Sequence, residues 1–224
     1  MFATYLGSLT GGIDKMLMTA TQRVFLVSIA AALATSVAHG ADAEFRSLFD
    51  GKSLAGWTGD LELWKVADGA IIGSTEARTL KKNTFLATDK PYKNFVLRLK
   101  FKLRNGNSGV QFRSKRFDEH VVRGYQADIA ENQFMGILYE EGGRGFLKNV
   151  NADEVRPHVK AGDWNEYVIT ADGPHITQQL NGFKTVDYTE TSDQGAKEGV
   201  IALQLHVGDP MQVMFKDIEI KELP

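Results

Sequence analysis

Phe95–Leu103, reading FVLRLKFKL, alternates without a break: Phe95, Leu97, Leu99, Phe101 and Leu103 fall on one side, Val96, Arg98, Lys100 and Lys102 on the other. A period of two belongs to a β-strand with one face against a core and the other in water. After the first forty-odd residues no stretch carries a convincing amphipathic helical pattern. About ten short strand-like runs follow one another, separated by turn signals. Asp68-Gly69 and Asn181-Gly182 are the dipeptides favoured by tight hairpins. In the closing strand, Met211–Leu223, the apolar phase shifts between Phe215 and Ile218, which predicts a bulge or burial on both faces. The expected fold is all-β, an antiparallel β-sandwich or jelly roll.

Three of these runs carry more than a core face. In Gly109–Ser114, alternation puts Gln111 and Arg113 on one face, with Val110 and Phe112 on the other. In Gly124–Ile129 it pairs Gln126 with Asp128, and in Val200–His206 it pairs Gln204 with His206. A solvated sheet face more often carries Lys, Glu, Thr and Ser. Gln, Arg, Asp and His repeated on three strands suit a cleft that grips hydroxyl groups. Asn132–Asn151 is the least regular stretch, loosened by Gly136, Gly142, Gly143 and Gly145, and it gathers Tyr139, Glu140, Glu141 and Arg144. Long connections of this kind in compact β domains are often functional.

The first 43 residues read as a secretory signal peptide. Lys15 and Arg23 precede the apolar run Val24–Val37, and Ala38-His39-Gly40 and Ala41-Asp42-Ala43 are both small-x-small. Cleavage is expected after Gly40 or Ala43, and Met16 or Met18 serves such a signal better as a start than Met1. The apolar run is short of the ~20 residues of a membrane span. The predicted mature chain, residues 44–224, is one domain in the periplasm or outside the cell. The formal net charge of −2 shows no basic excess, which argues against nucleic acid as a partner. Cys is absent, so disulfides, thiolate nucleophiles and a lipid anchor on Cys are excluded. No phosphate loop or nucleophile elbow is present.

Several motifs occur in order: NSGVQFRS (Asn107–Ser114), GYQADI (Gly124–Ile129), GILYEE (Gly136–Glu141), WNEYVI (Trp164–Ile169), LNG (Leu180–Gly182), GVIALQLH (Gly199–His206) and FKDIEIKEL (Phe215–Leu223). Together they resemble the 3-keto-disaccharide hydrolase domain family across nearly the whole predicted mature chain. The resemblance implies a concanavalin A-like, laminarinase-like jelly roll, usually secreted by bacteria, and activity on glycosides oxidised to a ketone at C3. The Glu-x-Asp-x-x-Glu strand of laminarinase-like enzymes is missing: Asp128-Ile129-Ala130-Glu131 does not fit it. Hydrolysis of an unmodified glucan by paired carboxylates is therefore disfavoured.

A 3-keto glycoside has an acidic proton at C2. Its cleavage by elimination and hydration needs a base, a donor at the developing enolate and an acid at the leaving group. His206 is the expected base, with Asp128 its competitor. Arg113, with Gln111 beside it, is expected to hold the enolate oxygen, and Glu140 or Glu141 to protonate the leaving group. Being adjacent, those two glutamates are expected to point apart. Gln126, Gln204 and Tyr139 complete the expected substrate contacts, and Arg144 is either a further contact or the partner of the glutamates. No cofactor is required by the sequence. A divalent metal through Asp128, Glu140 and His206 is compatible with it but not demanded by the spacing. Two rivals stand beside the enzyme: a non-catalytic carbohydrate-binding module on the same sandwich, and an interaction domain whose three polar faces do not converge.

Overall fold

The computed structural model describes residues 44–117 and 120–224; the predicted signal peptide, residues 1–43, lies outside the described residues. In chain order the strands are β1 (Arg46–Ser47), β2 (Trp57–Thr58), β3 (Trp64–Ala67), β4 (Ala70–Ser74), β5 (Thr84–Thr88), β6 (Phe95–Arg104), β7 (Asn107–Arg116) and β8 (Val122–Ala130). They continue with β9 (Leu138–Glu141), β10 (Gly145–Lys148), β11 (Asn165–Asp172), β12 (His175–Leu180), β13 (Phe183–Thr189), β14 (Val200–Leu205) and β15 (Gln212–Glu222). One short helix, α1 (Ala152–Val155), is capped by the Asn151 side chain on the Asp153 amide and runs into a 3-10 turn at Arg156–His158. Among the described residues no helix is long and apolar enough to cross a membrane.

The strands form two antiparallel sheets packed as a sandwich. One has the order β13-β12-β11-β6-β15-β4-β3, with β1 added beside β15; the other has the order β10-β9-β8-β7-β14-β5-β2. The alternation of β6 is realised in full: its Phe and Leu residues are buried while Val96, Arg98, Lys100 and Lys102 are half-exposed. From the first sheet Phe95 meets Phe112 of the second edge-on, ring centroids 6.4 Å apart. The Tyr167 hydroxyl of β11 crosses the core to donate to the Asp128 backbone carbonyl of β8. The core is thus largely apolar, with this directed polar stitch across it and the Gln178 amide of β12 buried between Ile176 and Leu180.

Turn chemistry follows the residues. Asp68 and Gly69 between β3 and β4 both have positive φ, as do Asn181 and Gly182 between β12 and β13, the signature of a type I′ turn. The phase shift predicted near the C-terminus is a bulge: the pairing of β15 with β6 slips between Lys216 and Glu219, with Asp217 at φ 50. Trp57 and Trp64 are buried, as core residues should be. Trp164 precedes β11 half-buried, with the Lys216 ammonium 4.2 Å from its ring centroid.

Candidate functional site

The outward face of the second sheet holds the site. On β8, Tyr125, Ala127 and Ile129 turn into the core, so Gln126 and Asp128 turn away from it. Cross-strand pairing sets Gln126 between Gln111 of β7 and Tyr139 of β9, and Asp128 beside Gly109. Gly109 has a steric role there. A Cβ on it would lie 2.5 Å from the Gln126 side-chain carbon Cδ, so only glycine lets that amide lie flat across β7.

The side chains form a directed amide chain. Gln111 Nε2 donates to Gln126 Oε1 at 3.1 Å, and Gln126 Nε2 donates to Asp128 Oδ1 at 2.6 Å and to Gln204 Oε1 at 3.4 Å. Gln204 Nε2 in turn donates to Glu141 Oε2 at 3.2 Å, and Asn83 Nδ2 to Glu141 Oε1 at 3.3 Å. The Asn83 side-chain oxygen accepts from the Val207 amide and so fixes the backbone next to His206. Two carboxylates, Asp128 and Glu141, therefore share one amide network, and among the described residues no lysine or arginine lines the cleft they face. Burial pushes the Asp128 carboxyl up to about 7; the Gln126 hydrogen bond pulls it down and the Glu141 charge pushes it up further. The Tyr139 hydroxyl is also raised, by burial and then by the charges of Glu141 and Asp128.

Above this floor is a cleft of about 210 Å³. His206 lies on its wall just past the end of β14, with Nδ1 on the Val207 carbonyl. Asn107 also lines it. Three aromatic rings rim it: Phe146 lies 5.7 Å from Phe134 and 5.2 Å from Tyr139, centroid to centroid, and is 54% exposed. Exposed aromatic faces beside buried acids and amides suit the apolar face and the hydroxyl edge of a sugar ring.

The structure brings together Gln126, Asp128, Gln204, His206, Tyr139 and Glu141, with Gln111 beneath them. It does not bring Arg113. The β7–β8 pairing slips between Phe112 and Lys115, and Arg113 takes φ 46. That bulge breaks the alternation the sequence reading relied on. The Arg113 guanidinium instead donates to the carbonyls of Lys93 and Gly173 and to Asn94 Oδ1, pinning loops at another part of the sandwich. Glu140 is the second correction. Adjacent to Glu141, it points to the opposite face, where Arg144 bonds it at 2.7 Å and reaches Glu190 at 2.7 Å. Arg144 is accordingly the partner of Glu140 and not part of the cleft. Because Glu140 faces away, Asp128, Glu140 and His206 do not form a metal set. Among the described residues no group of three His, Asp or Glu is placed to hold a metal ion.

Asn83, Asn107, Phe134 and Phe146 were not singled out from the sequence. Phe146 lies two residues beyond Arg144 in a stretch already marked as functional, so an aromatic there was a readable signal. Asn83 sits in a polar turn and gives none.

A model of the 3-keto-alpha-glucoside-1,2-lyase-like domain matches residues 44–221. No curated protein matches the sequence. Among solved structures, two proteins of Parabacteroides distasonis ATCC 8503, provisionally titled glycosyl hydrolases, superpose with a TM-score of 0.61 each. One is 25% identical, covering 80% of this chain and 100% of its own; the other is 23% identical, covering 80% and 94%. The carbohydrate-binding module CBM66 of Bacillus subtilis superposes with a TM-score of 0.57 at 14% identity, covering 75% of this chain and 96% of its own.

Proposed function

We propose, from the premise that the chain belongs to the 3-keto-alpha-glucoside-1,2-lyase-like domain family, that the cleft cleaves 3-keto glycosides by elimination followed by hydration. The observation that carries this reading is Asp128: a carboxyl held at about 7, buried at the floor of an open cleft beside His206 and a second carboxylate. A group poised near neutrality serves proton transfer in either direction.

His206 takes the proton from C2. With its Nδ1–H directed at the Val207 carbonyl, neutral imidazole offers the Nε2 lone pair to the cleft. The C2–H electron pair moves onto the C3 ketone oxygen as an enolate, and the Asn107 amide and Tyr139 hydroxyl are the donors available to it. The enolate then collapses to a C1=C2 double bond. The C1–O bond breaks, and protonated Asp128 delivers its proton to the departing oxygen. Addition of water, hydroxyl to C1 and proton to C2, gives the free 3-keto sugar. Gln126 holds the Asp128 carboxyl in place, and Gln204 and Asn83 do the same for Glu141.

The test is turnover of a chromogenic 3-keto-α-glucoside beside the unoxidised glucoside, run in D2O, with the free 3-keto sugar as an exchange control. Release from the keto substrate alone, with deuterium entering C2 faster than in the control, is the expected result. Release without enzyme-dependent exchange at C2 removes the elimination route. Glycan binding without turnover of either substrate moves the cleft to a carbohydrate-binding role.

A further inference from the structure

A largely apolar cavity of about 470 Å³ has no part in the proton transfers above. It opens at one end of the sandwich, among Phe101 and Leu103 of β6, Met135, and Val155 and Val159 around α1. Its size falls in the range that encloses small organic ligands. Its position relates it to the cleft in two ways. Ala130 lines it, two residues beyond Asp128 on β8, a step of ~7 Å along a strand. A smaller cavity of about 250 Å³ lies beside both: it shares Asn107 and His206 with the cleft, and Glu131 and Asn132 with the apolar cavity. The loop after β8 forms the divide, with Phe134 on the cleft side and Met135 on the other.

We infer that this apolar cavity is the subsite for the leaving group, and that the preferred substrates are 3-keto glycosides of apolar alcohols rather than of second sugars. The inference rests on the functional reading above: a glycone whose C1–O bond is protonated by Asp128 extends its aglycone toward Ala130. The lining decides the chemistry. The exposed Glu131, Asn132, Gln133, Arg156 and Lys160 give the cavity a polar rim, while the buried or half-buried Phe101, Leu103, Met135, Val155 and Val159 offer dispersion contacts that suit an aromatic or terpenoid skeleton.

The experiment compares kcat/KM for methyl 3-keto-α-glucoside and for 2-(2-naphthyl)ethyl 3-keto-α-glucoside, two alkyl leaving groups of similar acidity. The enzymes are wild type, Ala152→Trp, which fills the cavity from α1, and Val159→Asp, which makes its wall polar. Wild type is expected to favour the naphthylethyl substrate by about tenfold or more through KM. Both variants are expected to lose that preference while turning over the methyl substrate at the wild-type rate. Equal kcat/KM for the two substrates in wild type, or a preference untouched by both variants, overturns the subsite and leaves the catalytic reading standing. If wild type turns over neither substrate, the catalytic reading fails and the leaving-group role falls with it. Titration of 2-(2-naphthyl)ethanol into wild type and Ala152→Trp keeps the two results apart. Saturable binding to wild type alone is expected, and no binding overturns the cavity as an apolar site.

Discussion

Tyr125 and Gln126 are neighbours on β8, and Glu140 and Glu141 are neighbours on β9, yet each pair divides between two polar clusters of opposite character. Glu140 and Tyr125 face Arg144 and Glu190. There the Arg144 guanidinium donates to both carboxylates and the Tyr125 hydroxyl donates to Glu190. Glu190 is held down at about 2 by Arg144, chiefly through hydrogen bonds. Burial pushes Glu140 up, but the Arg144 bonds outweigh it and leave it below the usual range. On the other side, Gln126 and Glu141 join Asp128 in a network of amides with no arginine or lysine, and Asp128 rises to about 7. The difference is one cation. Matched charge makes a clamp between strand and loop; buried acid without matched charge makes a group that still exchanges protons.

Asp128→Asn breaks the cleft side of this comparison most directly. Turnover of a 3-keto glycoside is expected to fall by about 10³-fold, since the acid at the leaving group is gone. The same variant gains stability at neutral pH. The folded-state value of Asp128, about 7, lies above its ordinary 3.8. Between those values the native protein keeps a proton that the unfolded chain has lost, so stability falls as pH rises from about 4 to about 7, by a total of order 4 kcal/mol. Urea melts across this window are expected to show that decline in wild type and not in Asp128→Asn. Parallel curves for the two proteins would mean that Asp128 is not the raised group.

Arg144→Ala breaks the clamp instead. It leaves Glu140 and Glu190 facing each other, both largely shielded from solvent, and is expected to cost about 3 kcal/mol. The urea midpoint should drop at constant slope, while kcat on the 3-keto substrate stays close to wild type. A large loss of kcat in a fully folded Arg144→Ala protein would join the two clusters into one site. Glu190 has the opposite pH sense to Asp128. Its folded value, about 2, lies below its ordinary 4.5, so its contribution is present above about 4.5 and lost as pH falls toward 2.

Alternation carried the sequence reading wherever the strands are regular. The apolar face of β6 and the pairing of Gln126 with Asp128 follow from a period of two, whereas His206, just past the end of β14, reaches the cleft from the loop. The hairpin dipeptides and the bulge in β15 were equally legible, because turn chemistry and phase shifts are local. Arg113 was misplaced because the bulge in β7 inserts a residue at a point where NSGVQFRS carries no Gly or Pro to announce it. The choice between Glu140 and Glu141 needed the register of β9 against β8, which depends on contacts distant in sequence. Asn83 reaches Glu141 from 58 residues away, and the apolar cavity at the end of the sandwich is assembled from β6, the loop after β8 and α1. Neither has a local signature.

Gly109→Ala tests the finest part of the cleft, the amide that holds Asp128. A methyl group 2.5 Å from Gln126 Cδ cannot be accommodated with Gln126 in place, so the side chain must swing off β7. Gln126 Nε2 then loses its bond to Asp128 Oδ1, a bond that favours the ionised carboxylate. Asp128 should become still harder to ionise. Because the protonated form is the acid in the proposed reaction, the alkaline limb of the kcat/KM profile is expected to move upward. The lost positioning should lower the plateau by about tenfold. The Arg144 clamp is untouched, but the buried Gln126 bonds to Gln111, Asp128 and Gln204 are lost, so the midpoint of unfolding should fall by the equivalent of about 1–3 kcal/mol. A profile that falls in height without moving along the pH axis would show that Gln126 places substrate and does not set the proton affinity of Asp128.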